Sequence, residues 1–387
     1  MDTLTKLDLH RLLTKSGAPC VSLLMPTHPG GGEQDRTRWK KLLSQTQEQL
    51  LRRGLGGSET KALLRQARNM LEDSIFWKNQ AQGLAYFLSP QLNRVYRLPR
   101  SIAEAVIVGD HFQVKSLFPF LTDNGQFFVL AISQKNVRLF QGNSAGLQEV
   151  ELHNVPHSLA EAMRFHDTDE PLLYHTQQAG GTGSWVAVFH GHGVGIDDAK
   201  DDFLRYFQQI NKGLHDLLQN EKAPLLLASV AYLWPIYREA NTYSHLLQEG
   251  IAGNPDQSSS QELHRKARDI VQPRIAQPQK RAAALYRRLA GTGRTSASPD
   301  VIVRSAYHGQ LELLFVSLDD RCWGLWDTAS AKAAIHTELQ PGDEDLCNLA
   351  AIHTFLHGGT VYAVPQEEMP AETPAAGIFW LPERRRK

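Results

Sequence analysis

The chain has 387 residues, 41 of them Lys or Arg and 41 Asp or Glu, so its formal net charge is zero. That balance excludes a protein attached to nucleic acid along its whole surface and leaves only local basic patches for such contact. The length is too great for one ordinary core and predicts two or three domains. A polar helix opens the chain. Pro19-Cys-Val-Ser-Leu-Leu-Met-Pro26, apolar and bounded by prolines, reads as a buried strand, and Thr27-His-Pro-Gly-Gly-Gly-Glu-Gln-Asp35 as the loop after it. Trp39, Leu42, Leu43, Gln47, Leu50 and Leu51 fall at helical spacing over Arg36 to Arg53, and a second helix is expected around Glu59 to Phe76. Gln82 to Ser89 and Asn93 to Leu98 form a strand pair, and the first part closes near Pro119 to Gly125.

The middle part begins with two strands over Phe127 to Gln141, joined at Ser-Gln-Lys-Asn, with an outer strand at Leu147 to Leu152. Phe165 to Gly183 is polar, proline-punctuated and glycine-rich, and reads as a surface loop. Then Trp185-Val-Ala-Val-Phe-His-Gly-His-Gly-Val-Gly-Ile-Asp-Asp198 runs from an apolar strand through glycines into a helix expected over Asp197 to Leu218. Pro224 to Val230 is a continuous apolar run, the pattern of a strand covered on both faces. Strand, helix, strand implies a parallel crossover and an α/β arrangement.

After Gly253 to Ser260 a long polar helix is expected from Gln261, interrupted at Pro273 and Pro278 and continuing to Leu289. Val301 to Tyr307 and Asp343 to His357 read as helices, and Leu311 to Ser317, Thr360 to Val364 and Ala376 to Leu381 as strands, a second small α/β sandwich. The expected division is therefore 1–122, 123–260 and 261–387. No apolar run approaches the ~20 residues that span a bilayer and the first residues lack a signal-peptide core, so a cytoplasmic protein with no membrane partner is expected. Cys20, Cys322 and Cys347 share no CxxC spacing, which argues against a disulfide framework or zinc knuckle and for buried small hydrophobes.

His190 and His192, two apart on an extended segment, point the same way and have Asp197 and Asp198 close behind them. One reading is a metal site or a general base; the other is a glycine turn whose aspartates sit in the first helical turn and offset its dipole. No third histidine or cysteine stands at diagnostic spacing. Gly191-x-Gly193-x-Gly195 is GxGxG, not the GxGxxG of a dinucleotide site, and no cofactor is called for. Asp197 with Asp201 and Asp198 with Asp202 share helix faces, yet Lys200 and Arg205 make a solvated face the plainer reading. Arg36, Arg38, Lys40 and Lys41, following Thr27-His28, offer phosphate contacts or simply a basic helix face.

Taken in order, Val21-Ser-Leu-Leu-Met-Pro-Thr-His28, Phe128-Val-Leu-Ala-Ile-Ser-Gln-Lys-Asn-Val-Arg-Leu-Phe140, Phe189-His-Gly-His-Gly193 with Asp197-Asp198, Leu346-Cys-Asn-Leu-Ala-Ala-Ile-His-Thr354 and Gly358-Gly-Thr-Val-Tyr-Ala-Val364 resemble the bacterial release-factor-like family. That family is related to the archaeo-eukaryotic class I peptide-chain release factors and to Pelota, and the resemblance covers nearly the whole chain. It implies three domains: an N-terminal α/β domain, a middle RNase H-like domain and a C-terminal L7Ae-like α/β/α sandwich. It also implies action on the ribosome or a structured RNA such as tRNA or rRNA, in termination or rescue, and a protein partner for the C-terminal domain. Release factors carry Gly-Gly-Gln on a middle-domain loop, and this sequence has none; the corresponding stretch is Gln177-Gln-Ala-Gly-Gly-Thr-Gly183. Gln177 and Gln178 are accordingly the candidates for chemistry beside His190 and His192, and Gly180, Gly181 and Gly183 for close approach to RNA. The loss of Gly-Gly-Gln points to a Pelota-like role without hydrolysis. Two other functions fit the residues: a metal-dependent hydrolase built on His190, His192, Asp197 and Asp198, and a non-catalytic module binding RNA or protein.

Overall fold

The computed structural model describes residues 4–14, 18–122, 126–143, 146–164 and 194–381, with backbone alone at 122 and 194–199. The chain forms two compact units, Met1–Asn124 with Ala276–Lys387, and Gly125–Ile275. Among the described residues no helix is long and apolar enough to cross a membrane.

The first segment carries strands β1 (Cys20–Pro26), β2 (Gly83–Ser89), β3 (Leu92–Leu98) and β4 (Ala105–Gly109), in the antiparallel order β3-β2-β1-β4. The helix Glu33–Arg52 places Trp39, Leu42, Leu43 and Leu50 on one buried stripe as their spacing predicts; Thr46 joins them, while Leu51, expected there, is exposed. Val21, Leu23 and Met25 of β1 pack with that stripe, while Cys20 and Leu24 join the other face's core. The strand is apolar throughout because both of its faces are covered. Trp39 sits edge-on to Tyr86 and Trp77, and its indole N–H donates to the Ala67 carbonyl at 2.8 Å. The expected single helix over Glu59 to Phe76 is instead three short ones, Gly57–Leu63, Arg65–Asn69 and Ser74–Lys78. Asp73 breaks the run, its side chain accepting the Phe76 N–H as a helix N-cap does.

The middle unit holds β5 (Phe127–Ile132), β6 (Val137–Gly142), β7 (Leu147–Val150), β8 (Leu225–Ser229) and β9 (Ile251–Ala252), in the order β7-β6-β5-β8-β9. The first three are antiparallel neighbours; β5 to β8 and β8 to β9 are parallel, as the strand-helix-strand pattern predicts. On β5 the alternation is complete. Phe128, Leu130 and Ile132 face the helix Val194–Leu218 with its Tyr206, Phe207 and Ile210, while Phe127, Val129 and Ala131 face the helix Ser260–Ile275 with its Leu263, Ala267 and Val271. The latter helix, assigned above to the third part, therefore packs as the second cover of the middle sheet, and the contact boundary falls at 275/276.

The third segment contributes the helix Gln277–Leu289, β10 (Thr295–Ser296), the helix Pro299–Tyr307, β11 (Leu311–Ser317), β12 (Trp323–Asp327), β13 (Lys332–His336), β14 (Glu344–Asp345), the helix Leu346–Leu356, β15 (Thr360–Val364) and β16 (Ala375–Phe379). Its main sheet runs β10-β16-β11-β15, with β11 and β15 parallel. Phe315, Ala376 and Ile378 pack against Ala282, Ala283 and Tyr286 on one side; Leu314 and Val316 pack against Ile302, Leu349 and Ile352 on the other. Helices thus cover both faces. The small sheet β13-β12-β14 has no counterpart in the sequence reading. Leu9, Leu12, Phe87, Phe112 and Phe118 of the first segment belong to the same core as Ile302, Leu314 and Ile352, which is why two parts distant in sequence form one unit.

Candidate functional site

Gln177, Gln178, Gly180, Gly181, Gly183, His190 and His192 lie outside the described residues. What the structure supplies is the frame on either side of them. The helix Leu159–Arg164 leads in and the helix Val194–Leu218 leads out, so Asp197 and Asp198 occupy the latter's first turns, at the positive end of its dipole. Tyr206, in the middle of that helix, donates its phenolic hydrogen to the Ser133 carbonyl just beyond the end of β5 (3.2 Å). The twelve residues before it make up about 18 Å of helix. At the other end Gly213 permits close packing: a Cβ there would meet Val155 Cγ2 at 2.5 Å and the Asn154 carbonyl oxygen at 2.7 Å. Near the carboxyl ends of the parallel strands stand Ser133, whose hydroxyl accepts the N–H groups of Lys135 and Asn136, and Ser229; neither is a carboxylate. Among the described residues no three His, Cys, Asp or Glu side chains gather as a metal would require.

In the first segment the loop after β1 builds a second polar arrangement. Asp35, fully buried in the first turn of its helix, accepts from the His28 backbone N–H at 2.9 Å, and its other oxygen lies 2.9 Å from His28 Nδ1. His28 itself is 62% exposed, so a buried carboxylate fixes a solvent-facing imidazole. The four basic residues that follow do not make one open face. Arg36 donates to the Leu71 carbonyl through Nε and Nη2. Arg38 donates to the Pro26 carbonyl at 3.0 Å and pairs with Glu104 at 3.2 Å, and Lys41 reaches the same carboxylate at 3.3 Å. Lys40 is exposed. Sequence spacing flagged the cations; Glu104, the carboxylate shared by Arg38 and Lys41 from 63 to 66 positions away, carries no local signal, unlike Asp35, which lies 3.8 Å from Arg38 at i,i+3.

A third cluster joins the first and third segments within their common unit. Lys115, 1% exposed, pairs with Asp345 at 3.0 Å and donates to the Asp320 carbonyl at 2.7 Å. Asp345 also accepts from Gln113 Nε2 (3.1 Å) and from the Cys347 N–H (3.1 Å), capping the helix Leu346–Leu356. Asn348 Oδ1 accepts the N–H groups of Val114 and Lys115 at 2.9 and 3.0 Å, while its Nδ2 donates to the Phe112 carbonyl at 2.9 Å. Every hydrogen-bonding group of that buried amide except one N–H is engaged. Cys322 and Cys347 are hydrogen-bonded together beside this cluster; Cys347 holds the Cys322 thiol below its ordinary range, while that bond and burial push the Cys347 thiol well up. The sequence signal, in hindsight, is Asn348 standing inside an otherwise apolar helix.

At the edge of the cluster His111 Nδ1 lies 2.8 Å from Glu344. The hydrogen bond to Glu344 raises the imidazole above its ordinary 6.5, burial opposes, and the charges of Glu344 and Asp110 assist. A folded value above the unfolded one gives stability that is full below about pH 6.5 and is lost as pH rises through the folded value. Unfolding midpoints measured across that window should fall, and His111→Gln should flatten the decline. Parallel curves for the two proteins would show that the pair is not coupled to folding.

The model of the bacterial archaeo-eukaryotic release factor family 7 matches residues 127–273. No curated protein matches the chain. Among solved structures the chain is similar to the archaeal translation termination factor aRF1, with 17% identity over 98% of this chain and 99% of that one and a TM-score of 0.23. It is also similar to a model of ribosome-bound archaeal Pelota and ABCE1, with 8% identity over 77% and 78% and a TM-score of 0.41. A third is S. cerevisiae Dom34, described as a translation termination-like factor, with 10% identity over 76% and 74% and a TM-score of 0.36. The stretch that the family model matches takes in the middle sheet and both of its long covering helices, so the likeness to that family lies in the middle unit.

Proposed function

We propose that this protein is a ribosome-associated factor of translation termination or rescue, acting without a Gly-Gly-Gln-type hydrolysis. The observation that carries the reading is the family match over residues 127–273, a stretch whose sequence contains Gln177 to Gly183. The strand order β7-β6-β5-β8-β9, antiparallel then parallel, supports an RNase H-like middle domain. Helices on both faces of β10-β16-β11-β15 support an L7Ae-like third domain, with its partner-binding role. In this reading Gly180, Gly181 and Gly183 approach RNA by backbone, Lys40 and Lys41 supply exposed charge for phosphates, and the zero net charge confines binding to such patches.

Co-sedimentation tests it. The full chain should pellet with stalled ribosomes at low salt and be released as salt rises, with Gly180→Val/Gly181→Val and Lys40→Ala/Lys41→Ala each weakening the association. It should release no peptide from peptidyl-tRNA above background. A protein that stays in the supernatant with both empty and stalled ribosomes at low salt does not have this function.

A further inference from the structure

The helix Gln277–Leu289 covers one face of the third segment's main sheet with Ala282, Ala283 and Tyr286, all buried. Its opposite face is a stripe of cations. Lys280, Arg281, Arg287 and Arg288 are exposed, and at about 100° per residue they fall, with exposed Ala284 among them, within about 120° of arc turned away from the sheet. The two pairs stand seven residues apart, about 10 Å along the axis. The helix contains no acidic residue, and among the described residues none of the four side chains has an ion-pair or hydrogen-bond partner. Glu368, the acid bound to this helix, is held on its flank by Gln279 at 2.7 Å.

Helix stability does not call for this arrangement. Arg287 and Arg288, in the last turn, suit the negative end of the helix dipole. Lys280 closes the first turn and Arg281 opens the second, at the positive end, where a cation is unfavourable. Folding therefore accounts for one pair and opposes the other. What all four share is a face.

Charge without an apolar anchor defines the partner. A protein would be held by aromatic or aliphatic anchors at a core depleted of charge, and the stripe offers only Ala284. A lipid surface takes up the apolar side of a helix, and here the sheet already covers that side. A nucleic-acid single strand is held by stacking on aromatic rings, and the stripe has none. The phosphate backbone of a double helix needs only charge, and the guanidinium groups of three of the four residues match phosphate oxygens two at a time. A helix half buried in its own domain cannot enter the wide major groove of DNA. The major groove of A-form RNA is deep and narrow, so its two rows of phosphates lie close together at the surface, within reach of cation pairs about 10 Å apart. We propose that the exposed face of the helix Gln277–Leu289 binds double-stranded RNA by its phosphates across the major groove, without regard to base sequence. The surface is separate from the glycine stretch and from Lys40 and Lys41, and it does not depend on the ribosomal role.

The test titrates the purified full chain into a labelled RNA duplex of about 20 base pairs, free of ribosomes, and reads fluorescence anisotropy. Four phosphate contacts should make the affinity fall about 100-fold between about 50 and about 200 mM salt. Lys280→Gln/Arg281→Gln and Arg287→Gln/Arg288→Gln should each weaken binding at least about tenfold at the lower salt and roughly halve the salt slope. The first of these should also keep or raise the unfolding midpoint, since it removes cations from the positive end of a helix, so its loss of binding cannot be ascribed to misfolding. Lys61→Gln/Arg65→Gln, which takes the same charge from exposed positions of the first segment, should change neither affinity nor slope. A DNA duplex of the same sequence and single-stranded RNA of the same length should bind several-fold more weakly. The proposal is overturned if duplex RNA does not bind at the lower salt, if either stripe variant binds like the parent, or if the Lys61/Arg65 variant loses as much as they do. It is overturned equally if DNA, the single strand or a polyglutamate peptide binds as tightly as duplex RNA. Ribosome co-sedimentation can fail with duplex binding intact, and the reverse, so the two readings stand or fall separately.

Discussion

Lys115→Met is expected to destabilise the unit formed by the first and third segments by about 3–5 kcal/mol, because removing one partner leaves a buried charge uncompensated. Both side chains of the Lys115–Asp345 pair are 2% exposed, so water cannot take the ammonium's place. Asp345 keeps its bonds from Gln113 and from the N–H of Cys347, and its place at the start of a helix favours a negative charge, which holds the expected loss toward the lower figure. The ammonium's bond to the Asp320 carbonyl disappears as well. Urea unfolding followed by tryptophan fluorescence, with hydrogen exchange to localise the loss, provides the measure. Lys115→Met with Asp345→Asn should recover part of it, since no charge is then stranded. A single variant within 1 kcal/mol of the parent, or a double variant worse than the single, would contradict the account.

Gly31→Ala is expected to cost about 2–5 kcal/mol. Its φ of +65° carries a penalty of about 1–2 kcal/mol for an L-residue. A Cβ would also lie 1.6 Å from the Trp77 carbonyl oxygen, a backbone atom that cannot rotate aside, and relieving such overpacking adds about 1–3 kcal/mol. Gly30→Ala is the control. Its φ is +89° but its Cβ would meet nothing within 4 Å, so it should show the backbone term alone. Because the displaced loop carries His28 away from Asp35, Gly31→Ala should also move the His28 imidazole resonances to those of a free side chain. Equal costs for the two substitutions would remove Trp77 from the explanation.

Much of this architecture is legible in the residues. The hairpin at Phe127 to Gln141 and the buried strand at Pro224 to Val230 follow from pattern because both faces of each are apolar and each is bounded by turn residues, and their parallel pairing follows from the helix between them. Of the two helices on either side of residues 165–193, Val194–Leu218 is legible in its amphipathic pattern, while Leu159–Arg164 has no counterpart in the sequence reading. The break-up of the second helix at Asp73 was not legible, since one hydrogen bond to a backbone N–H outweighs a weak helical period. Nor was the affinity of the helix Ser260–Ile275 for the middle sheet: Leu263, Ala267 and Val271 declare an apolar stripe without saying which sheet it meets. Lys115, Asp345 and Asn348 were silent because charge and amide acquire meaning only when 230 residues of separation close to 3 Å.

The single core shared by the first and third segments has a consequence for how the protein is made. A chain emerging from a ribosome exposes Cys20, Leu24, Phe87 and Phe112 before the residues that cover them, Leu349 and Ile352 among these, exist. At about 5–20 residues per second that interval lasts about 10–50 s, during which the middle unit can fold around its own sheet while the earlier half waits with an apolar face unmet. The first segment is thus the part of this protein most in need of a chaperone at birth, and a nascent chain halted before residue 346 should be its most aggregation-prone form.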